Sequence, residues 1–179
     1  MATLEDDPRI DPRIKEIMGM MPPLALGDVV DREQLLQEAN HPKALKRVSE
    51  MEAMFELVDT EEIAPSAGLR IATHEFSSQP DGNRVKVQFI RPDTTEVVPC
   101  VYYIHGGGMQ AMSCFYGIYR AWGKFIAREG VAVALVDFRN CVTPSSAPEV
   151  APFPAGLNDG VSGVKWLAGQ AEALGIDAG

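Results

Sequence analysis

The chain has 179 residues, 46% of them hydrophobic, and a formal net charge of −9. That length supports one ordinary core rather than two comfortable domains, and an acidic surface repels phosphate backbones and anionic lipid, which disfavours nucleic acid and anionic membranes as partners. The acidity is local: residues 1–62 hold 15 Asp+Glu against 7 Lys+Arg, whereas residues 63–179 hold 10 against 9.

In chain order, the first third reads as helical. Asp11-Pro12 has the form of an N-cap followed by Pro at the first helical position; Ile14, Ile17, Met18 and Met21 then share a face until Pro22-Pro23. A second helical stretch runs from about Asp31 to Asn40. Pro42 suits the first turn of a third, on which Leu45, Val48, Phe55 and Val58 form a stripe. Pro65-Ser66-Ala67-Gly68 breaks the pattern, so residues 1–62 are expected to form a helical N-terminal cap and residues 63–179 the start of an α/β core.

Period-two alternation follows. Leu69, Ile71 and Thr73 read as one strand and Val85, Val87 and Phe89 as another, with Gln79-Pro80-Asp81-Gly82-Asn83 as the turn of a hairpin. Cys100 to Ile104 is a continuous apolar run, Tyr116 to Arg128 is amphipathic through Ile118, Trp122, Phe125 and Ile126, and Val131 to Val136 is a β-branched run closing at Asp137. Strand, helix and strand make a crossover unit. A Pro- and Ser-containing loop, Phe138 to Pro154, leads to a helix expected to turn Leu157, Val161, Val164, Leu167 and Ala171 inward. The alternation calls for a further strand beyond Gly179, and a sheet of four strands would keep a long apolar edge.

Cys100, Cys114 and Cys141 are odd in number and widely spaced, and only His41, His74 and His105 could complete a metal set, so neither structural zinc nor a disulfide framework is expected. There is no apolar run of about 18 residues, and Met1 to Asp7 is acidic rather than basic-then-apolar; the expectation is a cytoplasmic protein without a membrane span.

The chemistry-bearing feature is the apolar strand that runs into His105-Gly106-Gly107-Gly108. Glycines lack a Cβ and adopt positive φ, so successive N–H groups can converge on a negatively charged oxygen. A rival reading exists. Gly106 to Ala111 satisfies the dinucleotide pattern G-x-G-x-x-G/A, and Asp137 closes a later strand as a ribose-binding acid would. Against it, Met112 to Phe115 intervene before the helical pattern, and Asp137 lies beyond the usual spacing of about 20 residues.

His105-Gly106-Gly107-Gly108, then Asp137-Phe138-Arg139, then Pro152-Phe153-Pro154-Ala155 resemble the H-G-G-G, D-[YF]-R and P-F-P-A motifs of the hormone-sensitive-lipase-like branch of the α/β-hydrolases, in the same order and at similar intervals. Met109 after the glycines and the run Val136 to Asn140 look most like the bacterial brefeldin A esterase subgroup. The resemblance covers about residue 70 to the end, and the helical start resembles the family's cap. It implies the N-terminal half of an α/β-hydrolase fold and a serine carboxylesterase without cofactor, acting on a small-molecule ester. The N–H groups of Gly107 and Gly108 would form the oxyanion hole, His105 and Gly106 would brace the loop, Asp137 and Arg139 would support it from below, and Met109 would touch substrate. No Gly-x-Ser-x-Gly occurs, so the resemblance places the Ser-Asp-His triad on a companion segment after residue 179; Ser145, Ser146 and Ser162 lack elbow glycines.

Two departures stand out: Asn140-Cys141-Val142 replaces the usual Leu-Ala-Pro, and Ala151 replaces the usual His. Met18, Met20 and Met21 read either as an adaptable acyl pocket or as plain packing. His41 and His74 read as surface or capping residues. A non-catalytic small-molecule receptor on the same fold is the alternative function, and a homodimer is left open.

Overall fold

The computed structural model describes residues 6–19 and 31–177. The chain divides into two compact units, Met1–Asp31 and Arg32–Gly179. In the first, α1 (Pro12–Gly19) starts as expected: Asp11 Oδ1 accepts from the N–H of Arg13 at 2.9 Å, satisfying one of the helix's orphan donors. Met18 is exposed there, while Met20 and Met21 lie outside the described residues.

In the second unit, α2 (Arg32–Ala39) and α3 (Pro42–Glu56) precede the sheet. His41 is the N-cap of α3, its Nδ1 accepting from Lys43 N–H at 3.2 Å, and Pro42 takes the first helical position, where its missing N–H costs nothing. Val58, expected on the α3 stripe, lies past the end of the helix.

β1 (Leu69–Ser77) and β2 (Arg84–Pro92) form the hairpin, antiparallel with Phe76 opposite Val85. β3 (Cys100–Ile104), α4 (Gly117–Arg128) and β4 (Ala132–Asp137) form a parallel crossover, and the sheet order is β1-β2-β4-β3. β4 is central and buried along its whole length. Its alternate residues feed two cores: Ala132, Ala134 and Val136 join Val85, Val87 and Phe89 under α5 (Ala155–Gly169) and α6 (Ala171–Leu174), while Val133 and Leu135 join Ile90 and Ala127 under α4. The helices therefore cover opposite faces of the sheet.

Burial departs from the apolar pattern on three elements, and on α5 it corrects the expected inward face. On β1, Ile71 and Thr73 are exposed; the edge strand buries Phe76 instead, and His74 sits beside Phe89 and Trp166. On α4, Ile118, Trp122 and Phe125 are partly exposed, because the helix meets the sheet through Gly123 and Ala127, while Gly117 abuts the end of α3. On α5, Leu157, Val161 and Val164 stay about half exposed, whereas Gly156, Asp159, Gly163 and Leu167 face inward. Small residues are needed for this approach. A Cβ at Gly163 would collide with the Tyr102 hydroxyl, and one at Gly156 would stand 2.7 Å from the Arg139 carbonyl oxygen.

Candidate active site

β3 ends at the carboxyl edge of the parallel strands, where open α/β sheets place their ligands, and the next residues are His105 to Gly108. The turn is sharp. Gly107 has φ +109 and Gly108 φ +63, and the non-glycines Met109 and Met112 also take positive φ, at 57 and 79. A side chain at Gly107 would collide with the Ala111 carbonyl, and one at Gly106 would press on the Tyr119 hydroxyl at 3.0 Å. Gly107 C=O accepts from Gln110 N–H at 3.0 Å, closing the turn. Among the described residues, no protein group accepts from the N–H of Gly107 or Gly108.

The strained loop is held from the far side by the segment after β4. Cys141 N–H donates to Met109 C=O (2.9 Å), Val142 and Thr143 N–H donate to Gln110 C=O (3.2 and 2.9 Å), and Asn140 Nδ2 donates to Met112 C=O (2.7 Å). Three of these residues, Asn140, Cys141 and Val142, stand where the resembled pattern has Leu, Ala and Pro. Asp137 secures both sides: Oδ1 accepts from Ser113 Oγ (2.6 Å) and Cys114 N–H (3.1 Å), and Oδ2 accepts from Ser146 N–H (3.0 Å) and Oγ (2.5 Å). A buried carboxylate with four donors is well satisfied and rigid.

His105 is buried and stacked on Phe138, with centroids 4.3 Å apart and planes at 12°. Nδ1 lies 2.8 Å from the Gly106 carbonyl; a carbonyl only accepts, so Nδ1 carries the proton and Nε2 is the bare nitrogen, with no protein partner among the described residues. Burial pushes its pKa down, which keeps the ring neutral at pH 7.

Arg139 does not pair with Asp137. Its Nε and backbone N–H both donate to Asp159 Oδ2 at 2.9 Å, Nη2 reaches Asp159 Oδ1 at 2.8 Å, and Nη1 reaches Asp81 Oδ2 at 2.6 Å. The hydrogen bond to Asp159 is the main reason its pKa is raised further. Sequence reasoning missed both partners. Asp159 leaves a signal, a lone acid amid the apolar spacing of α5; Asp81, in the hairpin turn, leaves none.

Two cavities lie on either side of Met109, and Gly108 lines the first of them. One, of about 230 Å³, is lined by Gly108, Met109, Cys141, Ala151, Phe153 and neighbours; the other, of about 260 Å³ and almost wholly apolar, lies among Ile104, Phe138 and the exposed side of α5. Met109 lines both. The dinucleotide reading loses its anchor here, because Gly117 N–H at the start of α4 is taken by Glu56 Oε1 at 2.8 Å, where a diphosphate would need a free helix terminus. Among the described residues, no three His, Cys, Asp or Glu side chains gather to hold a metal. Ser162 Oγ accepts from Gln79 N–H and Ser146 is bound to Asp137, so neither is placed as a nucleophile.

No family model matches the chain. The chain is 59% identical to a mutant of esterase Est22, with a TM-score of 0.91 over 98% of this chain and 52% of that one. Ethyl acetate hydrolase of Pseudomonas putida is 34% identical over 102 residues, 55% of this chain and 29% of that protein. Brefeldin A esterase, described as a bacterial homologue of human hormone-sensitive lipase, is 24% identical with a TM-score of 0.75 over 96% of this chain and 47% of that one, a likeness of fold alone. By sequence and fold the chain is similar to solved esterases of the α/β-hydrolase type, and it spans about half of their length.

Proposed function

We propose that the chain is the part of a serine carboxylesterase that carries the oxyanion hole, and that a companion segment supplies Ser, Asp and His. The observation that carries this reading is the pair of unclaimed N–H groups at Gly107 and Gly108, held in a left-handed corner beside the cavity that Gly108 lines. When serine attacks an ester carbonyl, negative charge gathers on the carbonyl oxygen. Donors fixed beforehand stabilise that charge without reorganising, each contributing about 3 kcal/mol to barrier lowering. His105, neutral and stacked on Phe138, stiffens the loop through Gly106; it is not the catalytic base, which the resemblance assigns to the companion segment. Asp137 and Arg139 hold the supporting segment. Met109, between the cavities, contacts the acyl or alcohol group of the ester.

In this reading residues 1–62 are the helical N-terminal cap, no cofactor takes part, and the reaction runs through an acyl-enzyme that water then cleaves. The cytoplasm is the proposed compartment, in keeping with three unpaired cysteines; no helix among the described residues is long and apolar enough to cross a membrane.

The test is a p-nitrophenyl ester assay on the triad-containing enzyme with Gly108→Pro, which removes one donor and, because proline cannot take φ +63, also re-aims the corner. Turnover should fall by about 100-fold or more, with a smaller effect on KM. Unchanged turnover would refute the role of Gly108. If a serine-directed fluorophosphonate fails to label the triad-containing wild type, the receptor reading takes its place.

A further inference from the structure

The cavity that Gly108 lines is walled in part by residues at which the chain leaves the resembled pattern. Cys141 stands where that pattern has Ala, and Ala151 where it has His. Both are anchored through the backbone: Ala151 N–H donates to Asn140 C=O at 3.1 Å, and Cys141 N–H donates to Met109 C=O at 2.9 Å. An imidazole at 151 would grow from this wall into the cavity, whereas a methyl group leaves the space open.

Met109 forms another wall. A Cβ at Gly156 would stand 3.0 Å from its Cε, so the glycine gives the thioether its room. With φ at 57, in the left-handed region that non-glycine residues seldom occupy, Met109 is fixed at its root and adaptable at its tip. Phe153, which is 81% exposed, and Leu157 complete the lining. Thioether, thiol, phenyl and isobutyl groups together offer dispersion and sulfur–aromatic contact and little hydrogen bonding.

Charge narrows the occupant further. Arg139 also borders the cavity, but its guanidinium is committed to Asp81 and Asp159, and two carboxylates around one cation leave the cluster net negative. An anionic group finds no free donor there and is repelled. Size limits the occupant too. A volume of about 230 Å³ lies below the roughly 300–1,000 Å³ of pockets that hold whole drug-sized ligands, so it takes one arm of an ester. At about 30 Å³ per heavy atom, the share of a water in the liquid, roughly seven atoms fit.

Resting on the esterase reading above, we propose that this cavity takes an uncharged, phenyl-sized arm of the ester, and that Ala151 and Cys141 are the residues that determine this specificity. Because Gly108 lines the same cavity, a ring seated in it holds the attached carbonyl beside the oxyanion corner.

The test compares methyl benzoate, with its ring on the acyl side, and phenyl acetate, with its ring on the alcohol side, each against methyl acetate in the triad-containing enzyme. Ala151→His should lower kcat/KM for one aromatic ester about tenfold or more relative to methyl acetate, and the affected ester identifies the arm. Cys141→Leu should lower the same ratio. A carboxylate on the far end of the ring, in monomethyl terephthalate or para-acetoxybenzoate, should lower kcat/KM about tenfold as well. A readout on the wild type, independent of turnover, is the alkylation of Cys141 by iodoacetamide, followed at that residue by mass spectrometry; millimolar benzyl alcohol should slow it. Ratios indifferent to Ala151→His in a variant with wild-type circular dichroism overturn the proposal, as does a ring carboxylate without effect or the absence of protection. Protection of Cys141 in an enzyme that hydrolyses none of these esters upholds the cavity and refutes the esterase reading; hydrolysis of methyl acetate without protection does the reverse.

Discussion

Asp159→Ala is the substitution that tests most directly how the loop beneath the site is held. Asp159 is fully buried on α5 and accepts three hydrogen bonds from Arg139, one from its backbone and two from its guanidinium, at 2.8–2.9 Å. The Arg139 side chain is itself only 8% exposed, and its other carboxylate, Asp81, is 49% exposed. Truncating Asp159 leaves a buried cation with one solvent-screened partner. Breaking a buried pair from one side costs about 3–5 kcal/mol, chiefly through the stranded charge. For a protein of this size that corresponds to a fall in Tm of roughly 6–20 °C, at about 2–4 °C per kcal/mol. Differential scanning calorimetry of wild type, Asp159→Ala and Asp81→Ala decides the matter. Asp81→Ala should shift Tm far less, since water can replace a half-exposed carboxylate. If both variants melt alike, Arg139 is not held by burial and the reasoning fails.

The helix–sheet approach at Gly163 is equally exposed to test: Gly163→Ala should destabilise by about 1–3 kcal/mol through overpacking on the Tyr102 hydroxyl, and Tyr102→Phe in the same chain should recover part of that loss in urea titrations. Acid stability should depend on Asp59, which joins the segment after α3 to α4 through Arg120 at 2.6 Å and Lys124 at 2.8 Å. Burial alone would raise its pKa, but hydrogen bonds from Lys124 and Arg120 outweigh it and hold the carboxyl below the ordinary value. A depressed folded-state pKa stabilises above the unfolded value of about 3.9, and that contribution is lost as pH falls through the folded value. The urea midpoint of wild type should therefore drop below about pH 4, and that of Asp59→Asn should be lower at neutral pH and flatter across the same range.

The elements and the glycine corner were legible in the sequence because both are written locally. Asp11-Pro12 and His41-Pro42 start helices through atoms within two residues, and Gln79 to Asn83 turns a hairpin whose strands then pair as their alternation demands. The Gly106 to Gly108 run announces a backbone that no side chain can share, as the space beside Gly107 bears out. Outward and inward were less legible. The stripes of α4 and α5 have helical spacing, but periodicity records only that a face is apolar, and glycines and alanines took the sheet-facing positions because close approach excludes larger side chains.

The sequence by itself determined that a parallel strand ends in a corner of glycines with N–H groups able to face an anion, since that depends on consecutive residues and their φ preferences. Only the tertiary structure decided which groups hold the corner in place. Asp137 meets Ser113 and Ser146, Arg139 meets Asp81 and Asp159, and the Met109–Gln110 carbonyls meet Cys141 to Thr143 across separations of 9 to 58 residues. Such partners are chosen by how the crossover packs the layers together, and burial then makes each choice binding, because a polar group withdrawn from water must find its bond within the fold.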